Sequence, residues 1–526
     1  MIKYKGFIFS LLFLYIIIGC FLSIFNGVSH DQYHEQLNWE INFQAIKGFF
    51  LGLDNYNVLT SYIDKYHGIA FHYLSQPFQF LLSDFISDFN YANELGGIYI
   101  SRHLPNFILF SISGIYFYLI CFKISNDNIF SLISTILYLT YPYLFGHAQI
   151  NAKDIPFLSF WILCTYYFFK IIEKVNNSKK VLFKDIFVLS FVTAFLISVR
   201  ISGSLIFLQY LIAVIVLVNT KKIDIFNLVI KNSLLFLYFI FFTLLLIYLF
   251  SPIFWINPLE IFNSLDYMSK YYHDTCTLTL GECMRAQNLS SSYIFIWLFF
   301  KLPILIIIGI VIFPLIENRI INNSISSIFY LIIIFTIFSI ILLLILLDVA
   351  LYDELRHVMF LLPLIFIPSL YNIYLFNRKI FYILSSLTII FFIFENFSLK
   401  KYQYTWLNSF AKLSNIQKNF EVDYWGVSNK NLQKEILIYS KKNNLPKNIC
   451  VYGDLYADVF LEKKGYKCFG TYSQIDSVGE RPFFAYQNVR NLKRSKPKDC
   501  NLIKIEKYNY TFSSKDIVTG KLWYCE

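Results

Sequence analysis

Residues 145–157 read Phe145-Gly146-His147-Ala148-Gln149-Ile150-Asn151-Ala152-Lys153-Asp154-Ile155-Pro156-Phe157, a polar and charged island between two long apolar runs. Charged side chains at a membrane boundary are costly and tend to be kept for ion pathways or chemistry. A second island, His30-Asp31-Gln32-Tyr33-His34-Glu35, follows the first apolar run, and a third, Tyr352-Asp353-Glu354-Leu355-Arg356-His357, lies far downstream. If all three lie on one side of a membrane, they can build a single site there.

The apolar background makes this a membrane question. The chain is 57% hydrophobic and 20% aromatic, and only 15% of its residues are charged; its mean hydropathy is +0.53. Soluble domains carry about 25% charge and about 45–50% apolar residues. An integral membrane protein is expected. The net charge of +11 is spread between apolar spans and through the C-terminal segment, which fits topology rather than a basic groove and argues against a nucleic-acid partner. The 58 Phe and 40 Tyr mark core and interface rather than a cofactor box.

Runs able to cross a bilayer, roughly 17–25 apolar residues each, fall at 7–25, 104–122, 129–146, 155–173, 186–200, 203–219, 225–250, 292–316, 326–347, 357–376 and 379–395. That gives about eleven spans in an all-α polytopic protein. Around 186–219, Arg200-Ile201-Ser202-Gly203 reads either as a tight turn between two short spans or as a break in one bent span. Lysine and arginine set direction, because cytoplasmic loops retain positive charge. Lys3 and Lys5 place the N-terminus inside. Lys123, then Lys170, Lys174, Lys179, Lys180 and Lys184, then Lys221 and Lys222, then Arg319, then Arg378 and Lys379 fall in alternate loops. The opposite loops hold single cations, Lys153, Arg200 and Arg356. All three islands and the C-terminal segment are therefore expected on the outer face of a multi-pass cytoplasmic membrane protein.

Cysteines test that topology. Cys20, Cys121 and Cys164 fall in apolar runs and read as core residues. Cys276 and Cys283 lie in one outer loop, and Cys450, Cys468, Cys500 and Cys525 in the C-terminal segment. Even numbers in each external stretch suit disulfides in an oxidising compartment: one small loop, and two bridges in any of three pairings. Free buried thiols are the bland alternative. Ile17-Ile18-Gly19-Cys20 imitates a lipoprotein cleavage site, but the apolar run continues to Phe25, so an uncleaved first span is expected.

The first external segment, 26–103, contains amphipathic stretches near 36–53 and 69–89. Phe78, Phe80, Leu81, Leu82, Phe85 and Ile86 suit a helix lying at the interface. Within the islands Asp31 is the candidate general base, with Glu35 on the same face of a helix and Asp154 as a further carboxylate. Lys153, Arg102, Arg200 and Arg356 can hold a phosphate. His147, His103 and His357 can donate to phosphate or, with the carboxylates, ligate a divalent metal. Bland readings stand beside these. Lys153 and Arg356 also suit snorkelling to head groups, Asp154-Ile155-Pro156 suits a helix start with Asp as N-cap, and His103 and His357 adjoin arginines at span ends.

These landmarks resemble a known family. A first span followed by Asp31, then Arg102-His103-Leu104-Pro105 opening the second span, then the Gly146–Phe157 island, is similar to the bacterial relatives of the protein O-mannosyltransferases. That group includes the aminoarabinose transferase of lipid A. Arg200-Ile201-Ser202-Gly203, Tyr352–His357 and Phe420-Glu421-Val422-Asp423-Tyr424-Trp425-Gly426 extend the likeness over roughly residues 1–430. The resemblance implies a GT-C fold and a sugar donor carried on a polyprenyl phosphate, transferred with inversion. It implies Asp31 as base for the acceptor, Asp154 as the second-loop acid, and phosphate binding by Lys153, Arg102 or Arg356. Many relatives have Asp-Glu where this chain has Asp31-Gln32, which weakens a paired-carboxylate or metal site. No other cofactor is implied.

The chain thus divides into a membrane domain at 1–396, with external loops at 26–103 and 251–291, and a small external α/β domain at 397–526. The acceptor, whether glycan, lipid or protein, is left open. The competing class is a lipid or glycan flippase, and a surface polysaccharide polymerase or ligase is a further reading. Transporters place their key residues near the bilayer midplane, whereas here the strong charges sit at span ends.

Overall fold

The computed structural model describes all residues except 1, 54–55, 178, 222–232, 272–274, 321–323, 454–455, 476–480, 492–495, 512 and 514. Lys222 and the first part of the 225–250 run therefore lie outside the described residues. Each apolar run contains a helix, from Ile2–Phe25 through Arg378–Leu399. By length and composition, however, only six helices among the described residues suffice to cross a membrane, or up to eight if each bent pair is one span. The count of eleven is not confirmed: two runs are bent, and the described apolar stretches Ser10–Phe25, Phe183–Val199 and Leu361–Phe376 are shorter than a full span. The 129–146 run bends by 57° between Asn128–Thr140 and Pro142–Ile150, and the 292–316 run by 118° between Ser292–Lys301 and Ile304–Val311. Pro142 and Pro303 stand at these breaks, where a ring and a missing N–H stop a helix continuing. At 186–219 the helix Phe183–Val199 ends at Arg200, whose backbone is extended (φ −148°), and a 3-10 turn Ile201–Leu205 leads into Ile206–Lys221.

Burial sorts the helices. Asp154–Asn176 is the most enclosed of the six, while Ser233–Phe250 buries only Thr243 and Ile247 fully. The exposed side chains there include Leu234, Phe236, Leu237, Phe241, Leu244 and Leu249, an apolar surface that water would not tolerate and lipid does. Ile2–Phe25 continues unbroken past Cys20, as expected of a span. Cys121 and Cys164 are buried, and Cys20 is partly so. Asp31–Leu51 and Ala70–Asn90 are the helices of the first external segment. Phe80, Leu81 and Phe85 are exposed on the latter, but Ile86 is buried, so the interfacial face is narrower than the sequence suggested.

Among the described residues, seven strands complete the fold. β1 (Cys276–Thr279) and β2 (Glu282–Arg285) form a hairpin closed by Cys276–Cys283. The other five, β3 (Cys450–Gly453), β4 (Phe469–Thr471), β5 (Phe483–Asn488), β6 (Cys500–Tyr508) and β7 (Ile517–Cys525), form one sheet in the order β4-β3-β5-β7-β6. β3 runs parallel to β4 and β5, and β7 runs antiparallel to β5 and β6. Leu432 and Ile436 of helix Asn429–Lys442 close one face of this sheet against Val451, Phe484 and Leu522. Of the three pairings open to its cysteines, the structure has Cys450–Cys468 and Cys500–Cys525. The boundary drawn at 396 falls inside helix Arg378–Leu399.

The quoted stretch is tightly packed at its start. A Cβ on Gly146 would stand 2.2 Å from the Tyr404 backbone nitrogen, too close for any side chain. Gly146→Val should lower stability by about 3 kcal/mol, the upper range for overpacking. Thermal unfolding of the purified protein in detergent checks this, and an unchanged melting temperature would rule out the close approach of Pro142–Ile150 to Lys400–Thr405.

Candidate active site

Two helices begin with an aspartate. Asp31 is the first residue of Asp31–Leu51 and Asp154 the first of Asp154–Asn176. A carboxylate at a helix N-terminus is favoured by the helix dipole. Asp154 does not cap its own helix as expected: the Asn151 side chain does so, its Oδ1 accepting from the Asp154 N–H at 2.8 Å and the Lys153 N–H at 3.2 Å. The Asp154 carboxylate is thereby left to side chains. It accepts a hydrogen bond from Asn151 Nδ2 at 2.8 Å and forms ion pairs with Arg200 Nη2 at 2.7 Å and Arg356 Nε at 3.4 Å.

Arg356 is where the three islands meet. Its Nη2 contacts Asp31 Oδ2, its Nη1 contacts Asp353 Oδ2 at 3.0 Å, and its Nε faces Asp154. The Arg356 side chain is only 7% exposed, whereas Asp31 is 40% exposed. Asp31 is thus the acid at the rim. Burial raises its pKa, but the Arg356 charge and hydrogen bond outweigh that and hold it below the ordinary aspartate value, so it is ionised at neutral pH. Asp31 sits one helical turn from Glu35, which pairs with Lys153 Nζ at 2.7 Å and lies 3.6 Å from His72 Nε2. Burial raises the Glu35 pKa, and the cations, Lys153 foremost, pull it well below the usual glutamate range.

The third island owes its shape to an unusual backbone. Asp353 (φ 53°) and Glu354 (φ 67°) both occupy the left-handed region, costing of order 1–3 kcal/mol each for non-glycine residues. Their N–H groups are held by Thr277 Oγ1 of β1 at 2.8 Å and by the Tyr293 hydroxyl at 3.0 Å. Glu354 pairs with Lys301 at 2.6 Å, both fully buried. Burial pushes the Glu354 carboxyl up to about 8 despite that lysine.

The remaining candidates are placed differently. Arg102 is fully buried and donates to Gln32 Oε1 at 3.3 Å and to Gln36 Oε1, so it stands behind the centre rather than on it. His103 is buried beside it, its Nδ1 3.1 Å from the Ser23 carbonyl. His147 is also fully buried, under Tyr143 and Trp425, with Asn151 and Tyr424 at its ring nitrogens. Neither Arg102 nor His147 is open to a donor phosphate. His357 lies edge-on to Tyr352, 4.3 Å between rings. Among the described residues, no three His, Cys, Asp or Glu side chains are placed to hold a metal ion. The carboxylates of the centre are committed to arginine and lysine instead, a donor set that does not fit a divalent metal.

Two contributors stand outside the candidate residues drawn from the sequence, the Asp423–Gly426 turn and Arg490. Asp423 takes the N–H groups of Val427 (2.9 Å) and Ser428 (3.1 Å), folding Asp423–Gly426 into a turn. The Trp425 carbonyl accepts from His30 N at 3.2 Å, and the Trp425 ring lies 5.6 Å from the Arg356 guanidinium. Gly426 (φ 67°) is required here, since a Cβ would meet His30 Nε2 at 2.8 Å. Arg490, after β5, contacts Asp353 Oδ1. The Asp423-Tyr424-Trp425-Gly426 resemblance signalled the turn; no local pattern signals Arg490.

Arg356→Gln should leave three carboxylates facing one another and lower stability by roughly 3 kcal/mol. The Asp31 pKa is depressed in the fold, so its pairing contributes fully above the unfolded value of about 3.9 and is lost as pH falls through the folded value. Melting temperatures of the two proteins should therefore converge below about pH 4. A constant gap would show that Arg356 acts through packing alone.

No protein-family profile and no curated protein matches the chain. Among solved structures it is similar to ArnT from Cupriavidus metallidurans in the apo state, with TM-score 0.44 and 9% identity over 99% of this chain and 98% of that one. The same protein bound to undecaprenyl phosphate gives TM-score 0.43, 9% identity and the same coverage. The apo Archaeoglobus fulgidus oligosaccharyltransferase gives TM-score 0.44 and 10% identity over 89% of this chain and 64% of that one.

Proposed function

We propose that this chain is an inverting glycosyltransferase of the GT-C type, using a polyprenyl-phosphate sugar at the outer face of the cytoplasmic membrane. The observation that carries it is the convergence of Asp31 and Asp154, two helix-initiating carboxylates, on Arg356, with Asp31 alone well exposed at the rim. Helix N-termini and guanidinium groups together favour an anion, and a carboxylate kept ionised beside them supplies a base.

In this reading the acceptor hydroxyl or amine donates its proton to Asp31 as its oxygen or nitrogen attacks the anomeric carbon. The bond from that carbon to the phosphate oxygen breaks on the opposite face, and the phosphate leaves on its lipid with the electron pair. Arg356, with Lys153 and Arg200 nearby, stabilises the charge gathering on the leaving oxygen. An incoming phosphate competes for the Arg356 fork and frees Asp31 for the acceptor. Asp154 orients Arg200 and Arg356, and Glu35 orients Lys153. The membrane domain would supply the lipid-facing entry and the sheet-bearing C-terminal domain the cover.

A flippase is less well supported, since its working residues would be expected along the span interiors. Asp31→Asn should keep the fold and reduce transfer from a labelled polyprenyl-phosphate sugar in membranes by roughly 100-fold or more. The location of the label in wild type would identify the acceptor as glycan, lipid or protein. Equal labelling at matched expression would transfer the assignment to a flippase or a polymerase.

A further inference from the structure

Among the described residues, Arg490 is the one cation of the centre that comes from the sheet-bearing C-terminal segment, and its position is fixed by contacts on both sides. Asn488, at the end of β5, donates from Nδ2 to His30 Nε2 at 3.1 Å. Burial and then the Arg490 charge lower the His30 pKa to about 4, so the imidazole is neutral and can accept. The Tyr456 hydroxyl donates to the His30 carbonyl at 2.9 Å and accepts from the Tyr33 N–H at 3.0 Å. Lys430 donates to the Phe25 and Asn26 carbonyls, at 2.9 and 3.2 Å, where the first helix ends. The segment is thus docked on the residues that flank Asp31.

Arg490 and Arg356 share Asp353, one on each carboxylate oxygen, and lie over the adjacent rings of Tyr424 and Trp425 at 5.8 and 5.6 Å. They differ in access. The Arg490 side chain is 30% exposed against 7% for Arg356. A guanidinium has five N–H donors, and Asp353 accounts for one nitrogen of Arg490. Its buried Nε has no hydrogen-bond partner among the described residues.

We propose that Arg490 is a second phosphate ligand of the donor site, brought to the membrane helices by the C-terminal segment. The inference rests on the glycosyltransferase reading. Chemistry gives it a specific time of action. A polyprenyl-phosphate sugar is a phosphodiester with one negative charge. Once the anomeric carbon–oxygen bond breaks, the leaving group is a phosphate monoester whose charge approaches −2 near neutral pH. A second guanidinium therefore matters more for the leaving group than for the intact donor, which is the differential stabilisation that accelerates a reaction.

The alternative is that Arg490 only neutralises Asp353, and a double-variant cycle separates the two. Binding of a short-chain polyprenyl phosphate to the full-length protein in detergent would be measured for wild type, Arg490→Gln, Asp353→Asn and the pair combined, with the corresponding polyprenol as control. Melting temperature and the three disulfides would monitor folding. The expected result is a roughly tenfold or greater weakening for Arg490→Gln, the same weakening in the double variant relative to Asp353→Asn, and kcat falling more than KM rises. Arg490→Lys, which keeps the charge and the Asp353 partner, should lie between wild type and Gln. A double variant that binds as Asp353→Asn does would overturn the proposal and leave Arg490 as a counter-ion. Wild type that binds the phosphate no better than the polyprenol would sink the donor reading itself, and the proposal with it.

Discussion

Everything at the centre of this molecule depends on one guanidinium touching three carboxylates. Arg356 joins Asp31, Asp154 and Asp353, which come from the starts of two helices and from a strained loop. Burying a charge costs several kcal/mol unless its partners are well placed, so the arginine enforces the geometry as much as it benefits from it. Pulling any one element away strands an ion in a poorly hydrated place. On the proposed reading, an arriving phosphate would displace an acid from Arg356 and gain Arg490, the more exposed of the two arginines on Asp353.

Much of this was legible in the chain. The three islands stood out because charge between apolar runs has few reasons to persist, and Asp31, Asp154 and Arg356 do meet. The cysteine arithmetic marked the six oxidised residues. What failed, failed for physical reasons. Hydropathy counts residues and not axes, so it took Asn128–Ile150 and Ser292–Val311 for straight spans when each is bent. Adjacency also misled. Lys153 and Asp154 are neighbours that part company, one to Glu35 and the other to Arg200 and Arg356, and Arg102 is turned to glutamines behind the site. Partner choice is set by contacts between residues tens to hundreds of positions apart, which no local window contains.

The aromatic residues serve two purposes that composition alone does not separate. Many of the exposed ones lie on helix faces suited to lipid, whereas Tyr143, Tyr404, Tyr424 and Trp425 enclose His147 and back the arginines. A ring beneath a guanidinium limits its hydration while leaving its edge for oxygen ligands. That is a way to keep cations both dry and available. It also explains why the Asp423–Gly426 turn, which lies beyond the last membrane helix, packs its rings against the arginines.

The β1–β2 hairpin has a wider meaning. Thr277 holds the Asp353 amide, and Glu421 joins the hairpin to the Trp425 turn through Leu278, so a covalent link between two cysteines stands next to the loop that carries Arg356. Reduction therefore reaches the centre without altering any of its side chains: a chain without the Cys276–Cys283 link keeps Asp31, Asp154 and Arg356 but loses one constraint on the Asp353–Glu354 backbone that presents the arginine.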